Sequence, residues 1–219
     1  MQNYDKGEKL RASVQHIGLF ETPVAYCKLD DGEALMNSLE SSIRNKKKED
    51  AGLNRSNIGG WHSDTDMLAW AGPGAETLAE TAVRIARRMS HFQDSSVDNY
   101  DWVVRMWANV TPPGGLNHLH SHPGNFWAAV LYIDMGDGDG EQHGGEFYME
   151  DPRFPMAAMK DTAFRMIGPD GEPQRYELEF RLQRGNLIVF PAWVRHGVRR
   201  YTGSRERISI AMNIDALRR

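Results

Sequence analysis

The stretch Gly185-Asn186-Leu187-Ile188-Val189-Phe190-Pro191-Ala192-Trp193-Val194-Arg195-His196 decides how the chain is read. A glycine turn opens it, and a continuous apolar run follows that suits a strand buried on both faces. A proline marks the next turn, and a histidine begins another strand. Similar short units surround it. Trp102 to Val110, Phe126 to Ile133 and Glu146 to Met149 are rich in β-branched or aromatic residues and bounded by Gly, Pro or Asp, while Tyr176 to Leu182 alternates. Arg207 to Ile214 alternates too, and its faces differ in kind. Ile208, Ile210, Met212 and Ile214 form one; Arg207, Ser209, Ala211 and Asn213 form the other. With helices over the isoleucine face, the Arg/Ser/Asn face must look into a wet cavity or a bound ligand.

Upstream of residue 95 the periodicity is helical. Leu35, Leu39 and Ile43 recur every fourth residue, with Asp30 or Asp31 available as N-cap, and this helix is expected to fray into the charged run Lys46 to Asp50. In a second helix Leu78, Ala82, Ile85 and Met89 share a face, with Arg84, Arg87 and Arg88 largely on the opposite, solvated one. The expected architecture is mainly β with N-terminal helices, a sandwich or barrel in one domain. Residues 1–95 form its helical layer and lid segments, and 96–219 its core. The segment from Asn54 to Leu68, polar and glycine-bearing, is the candidate lid.

Charge and composition remove several classes. The 219 residues carry 30 acidic against 26 basic side chains, a net charge of −4, which disfavours a nucleic-acid binder. The apolar run Phe126 to Ile133 is far shorter than the roughly 20 residues needed to span a bilayer. The first fifteen residues hold no signal-peptide core. Cys27 is the one cysteine, so no internal disulfide can form. A cytoplasmic protein with a small-molecule partner is expected, and a homo-oligomer is compatible with these features.

Three histidines cluster in Asn117-His118-Leu119-His120-Ser121-His122-Pro123. In an extended segment they share a face, and an HxH pair can offer two imidazole nitrogens to one ion. The plain alternative is a pair of histidines bonding loop carbonyls. His196 supplies a further nitrogen if distant strands pair side by side. Asn109 and Arg153 are candidate polar contacts, and Trp107, Phe126, Trp127, Tyr132 and Trp193 are either pocket-lining aromatics or core.

These residues resemble the Fe(II)/2-oxoglutarate-dependent oxygenases, and more narrowly a small 2OG-Fe(II) oxygenase group. The matching features are Trp107-Ala108-Asn109-Val110, His120-Ser121-His122-Pro123, Ala129 to Tyr132, Gly144-Gly145-Glu146-Phe147, Asp151-Pro152-Arg153, Gly185 to His196, Arg207-Ile208-Ser209 and, upstream, Ser56 to Ser63. The resemblance implies a double-stranded β-helix (jelly-roll, cupin-like) core. It also implies a facial metal site with His120 and His196 as ligands, and Arg207 with Ser209 on the distal carboxylate of 2-oxoglutarate, with Asn109 as a further contact. It departs where the family's usual Asp or Glu is expected and His122 stands instead. Either His122 is the third ligand, the reading preferred here, or the register differs and a carboxylate such as Asp151, or water, completes the shell. The implied chemistry consumes O2 and 2-oxoglutarate, releases succinate and CO2, and oxidises a C–H bond of a small, amino-acid-like substrate. A cupin-type three-histidine dioxygenase or isomerase fits the spacing of Gly114 and Gly185 to the histidines, but Phe126 and Trp127 stand where its glutamate belongs. A non-catalytic jelly-roll binding module is the remaining alternative.

Overall fold

The computed structural model describes residues 11–30, 32–138 and 143–219. Its strands are β1 (Ala25–Lys28), β2 (Asn57–Ile58), β3 (Trp61–His62), β4 (Tyr100–Thr111), β5 (Leu116–His120), β6 (Trp127–Asp134), β7 (Phe147–Glu150), β8 (Glu177–Phe180), β9 (Asn186–Pro191), β10 (His196–Val198) and β11 (Arg207–Arg218). The helices are α1 (Glu33–Glu49), α2 (Met67–Trp70) and α3 (Pro73–Arg88). Two antiparallel sheets form, in the orders β1-β9-β6-β11-β4-β3 and β2-β5-β10-β7-β8. The two sheets are the β sandwich expected from the strand pattern, and the jelly-roll core that the resemblance implies.

The period-two patterns sort the side chains into two apolar layers. Ile208, Ile210, Met212 and Ile214 of β11 are buried with Leu131 and Leu187 of its sheet and with Leu39, Ile43, Leu78 and Ala82 of the helices. Between the sheets lie Val130, Tyr132, Phe147, Ile188 and Phe190. β6 and β9 contribute to both layers, which is why each reads as an unbroken apolar run. Alanines 75, 79, 82 and 86 are buried along α3, and their small side chains bring its backbone close to the sheet.

The helix ends differ from expectation. Gly32, not Asp30, stands at the N-cap of α1, without a side-chain bond, and Asp31 lies outside the described residues. The charged run does not fray. The helix continues to Glu49 because Lys46 pairs with Asp50 at 3.1 Å, Lys47 pairs with Glu206, and Arg44 reaches Asp134 at 3.3 Å. Among the described residues three strands precede residue 95: β1 and β3 are the edges of the larger sheet and β2 is an edge of the smaller. Two are only two residues long, too short to show alternation.

Leu39 has no exposed surface and joins α1 to the sheet. Leu39→Ala is expected to cost about 2–5 kcal/mol of unfolding free energy in urea titration. A cost below about 1 kcal/mol would mean that α1 is not part of the cooperative core.

Candidate active site

His120 closes β5 and His196 opens β10, and the two are direct partners in the antiparallel pairing. Direct cross-strand partners project to the same face, so both imidazoles enter the space between the sheets. His122 lies two residues beyond the strand, and its amide donates to the Ala192 carbonyl at 2.8 Å. The ring centroids are 5.0 Å (His120–His122), 4.5 Å (His120–His196) and 5.1 Å (His122–His196) apart. One nitrogen from each lies within 4.8 Å of the others.

The backbone chooses the tautomers. His120 Nδ1 lies 2.6 Å from the His118 carbonyl and His196 Nδ1 lies 2.9 Å from that of Val194. A carbonyl only accepts, so each Nδ1 carries the proton and each Nε2 keeps a lone pair. Burial lowers the His120 pKa, and burial with the neighbouring imidazoles brings His122 to about 4 and His196 to about 3. All three are neutral at pH 7, the form that binds a metal.

A cavity of about 570 Å³ lies beside the cluster. Its lining includes Trp107, Asn109, Tyr132 and Ser209 on one sheet and the three histidines on the other side, while Arg55, Ser56, His62 and Thr65 come from the segment expected to be a lid. Asn109, Ser209 and Tyr132 are successive register partners across β4, β11 and β6, and His62 extends the row on β3. Burial pushes the Tyr132 phenol up to about 12, so its hydroxyl stays protonated. Arg207 is 6% exposed and stands just behind this row, with its guanidinium carbon 5.7 Å from the Tyr132 ring and 5.4 Å from that of Tyr201. Its Nη1 donates to the Gly145 carbonyl, and its Nε is buried with no acceptor, as are the side-chain oxygens of Asn109 and Asn213 without a donor. Arg205, by contrast, bonds Asp134 at 2.9 Å. Of the two arginines only Arg207 lacks a carboxylate partner among the described residues.

Other candidates fall elsewhere. Asp151 is held by Arg153 through bonds of 3.0 and 2.7 Å and is not among the clustered ligands; Arg153 is committed to it and to Gln174. His118 is exposed at the cavity edge and outside the triad. Phe126 and Trp193 are 48% and 53% exposed and are not part of this cavity's lining, and Trp127 packs under the helices with its indole on Ser90. His62 was not foreseen. It lies in the segment Ser56 to Ser63, but nothing in that short stretch distinguishes it until its ring is seen stacked on Trp107, with centroids 5.5 Å apart and planes 12° off parallel.

The family model described as "Putative 2OG-Fe(II) oxygenase" matches residues 105–213, about half of the chain and nearly all of the core that carries the site. The chain belongs to that family: it is a 2-oxoglutarate-dependent oxygenase, working with Fe(II), 2-oxoglutarate and O2. No curated protein matches it. Among solved structures it is similar to a Pseudomonas putida prolyl-4-hydroxylase, with TM-score 0.57, 18% identity, and 90% of this chain and 94% of that one covered. It is similar too to a prolyl hydroxylase from Trichoplax adhaerens, with TM-score 0.60, 11% identity, and 88% and 83% covered. HygX from Streptomyces hygroscopicus, solved with nickel and 2-oxoglutarate bound, gives TM-score 0.56 at 15% identity, with 89% and 83% covered. At these identities the likeness is one of fold. Among the described residues no helix is long and apolar enough to cross a membrane.

The neutral histidines give the metal-free protein a signature in acid. Unfolded histidines titrate near 6.5, so below that value the unfolded chain binds protons that His122 and His196 refuse. Stability is therefore expected to fall as pH drops from about 6.5 toward about 4.5, before the carboxylates titrate. Urea midpoints across this window, with His122→Gln showing a shallower slope, test it; equal slopes would mean that His122 charges freely in the fold.

Proposed function

We propose that His120, His122 and His196 hold Fe(II) and that Arg207, Ser209 and Asn109 receive 2-oxoglutarate. The enzyme then oxidises a C–H bond of a small, amino-acid-like substrate, by hydroxylation or a related outcome, with succinate and CO2 as coproducts. The carrying observation is the convergence of three neutral imidazoles within 4.8 Å at the wall of a cavity.

The donor set fits the metal, since three imidazole nitrogens suit iron and leave positions open for ligands. With no carboxylate in the set, the centre is one charge more positive than a two-histidine, one-carboxylate site, which favours an anionic cosubstrate. The far wall fits a carboxylate: the buried, unpaired Nε–H of Arg207 is costly alone and is satisfied when an oxygen arrives. Iron, when bound, supplies the chemistry by which O2 takes two electrons from 2-oxoglutarate, as it loses CO2, and two from the substrate C–H bond. The chain's own residues do the rest. Arg207 and the Ser209 hydroxyl fix the distal carboxylate, Asn109 and the protonated Tyr132 hydroxyl offer further polar contacts, and Val130, Phe147 and Phe190 exclude water. The cavity volume suits a small molecule. The prolyl hydroxylases carry hydroxylation in their names, and HygX has been solved with nickel, 2-oxoglutarate and hygromycin B bound. Residues 96–219 act as the catalytic core, and the segment from Asn54 to Leu68 borders the entrance. A cytoplasmic location is in keeping with the free Cys27.

Anaerobic addition of Fe(II) and 2-oxoglutarate to the metal-free protein is expected to give a weak visible charge-transfer band; stoichiometric iron without a band would remove the cosubstrate assignment. His196→Ala should abolish iron binding and succinate formation, and retained activity would overturn the metal assignment. Arg207→Ala removes a charge-assisted pair worth about 1.5–3 kcal/mol, so the KM for 2-oxoglutarate should rise about 10- to 100-fold with iron content near wild type.

A further inference from the structure

His120 and His196 have their rings fixed by hydrogen bonds to backbone carbonyls. His122 differs. Its backbone is held, through its amide on Ala192 and its carbonyl, which accepts from Asn125 at 3.2 Å, but among the described residues its ring makes no hydrogen bond. Besides the other two imidazoles of the cluster, the ring meets Trp107, at 5.7 Å between centroids and 55° between planes. Trp107 in turn is stacked on His62, whose Nδ1 is tied to the Ser63 carbonyl at 2.5 Å. Ser63 is pinned to the strand that carries Trp107. Its amide donates to the Ala108 carbonyl at 3.0 Å, and its hydroxyl accepts from the Ala108 amide at 3.0 Å. Across β11 the register partner of Trp107 is Ala211, whose small side chain leaves the indole room to lie over the sheet.

We propose that Trp107, backed by His62, is the positioning residue of His122, replacing by ring packing the orienting hydrogen bond that the other two histidines have. This rests on the three-histidine reading above. An imidazole anchored only at its backbone can turn about both side-chain torsions, and that freedom is lost when it binds a metal. The rigid stack His62–Trp107 removes most of that freedom beforehand. The layered order of the three rings runs from the β3 edge of the larger sheet to the histidine cluster, so the upstream segment carrying His62 reaches the metal centre without supplying a ligand. Trp107 is not a metal ligand in this account: it lines the cavity and acts on the metal centre through His122.

Co(II) is the probe, read by its d–d absorption and by its dissociation constant, with no turnover involved. Trp107→Ala should bind Co(II) about 10-fold or more weakly, the usual cost of losing a support of a metal ligand, with an altered band pattern. Trp107→Phe, which keeps a ring against His122, should restore the wild-type spectrum. His62→Ala, which leaves Trp107 in place, guards against a Trp107→Ala chain that fails to fold and should weaken binding about threefold to tenfold. The deciding comparison is a double-mutant cycle: in the His122→Ala background, Trp107→Ala should have no further effect. An equal loss in both backgrounds, or wild-type binding by Trp107→Ala, overturns the positioning role. Wild-type protein that binds no Co(II), or binds it unchanged in His196→Ala, instead overturns the metal reading on which the role depends.

Discussion

The register between β5 and β10 is the constraint on which the site depends. With His196 directly opposite His120, both imidazoles face the inter-sheet space; a slip of one residue would turn His196 to the outer surface and leave no cluster. Several features resist that slip. His196 is also the partner of Met149 on β7, and Gly197 lies so close to Tyr148 and the Asn117 carbonyl that a Cβ there would sit 2.8 and 2.9 Å from their oxygens. The pairing shifts between His196 and Val198, an irregularity of the kind that re-aims side chains beside functional sites.

The opposite wall is governed by β11. One face of this strand is sealed under the helices and the other carries Ser209, Ala211 and Asn213 to the cavity, with Arg207 just behind them, so a single alternating sequence both anchors the helical layer and lines the cavity wall. Unpaired polar atoms collect on this side: Arg207 Nε, Asn109 Oδ1 and Asn213 Oδ1 are buried without partners. Such groups are costly in a finished core, and these gather on two neighbouring strands at or just behind one side of the cavity.

Much of this was legible in the residues. The alternation of β11, the apolar run of β9 and the HxH segment each carry their pattern locally, and local patterns survive into the fold. Other features depend on contacts that no local pattern encodes. β2 and β3 are strands only because β5 and β4 offer them edges. Asp151 looked available as a ligand until Arg153, two residues on, folded back onto its carboxylate. Of the aromatics near the motifs, Trp107 and Tyr132 lie on strand faces turned to the cavity, while Trp193, in the turn between β9 and β10, is open to solvent. His62 acquires a role only through its stack on a residue from another strand.

Gly145 shows how tightly the surroundings of Arg207 are drawn. Its backbone has φ +81°, and a Cβ at that position would collide with Nη1 of Arg207, which also takes its carbonyl as acceptor. Positions 145 and 207 are thus not free to drift separately. Any side chain at 145 evicts the guanidinium, and loss of the arginine leaves the glycine guarding an empty slot. A change at 145 therefore acts at 207 without touching anything in the cavity, and the two positions can be altered only as a pair.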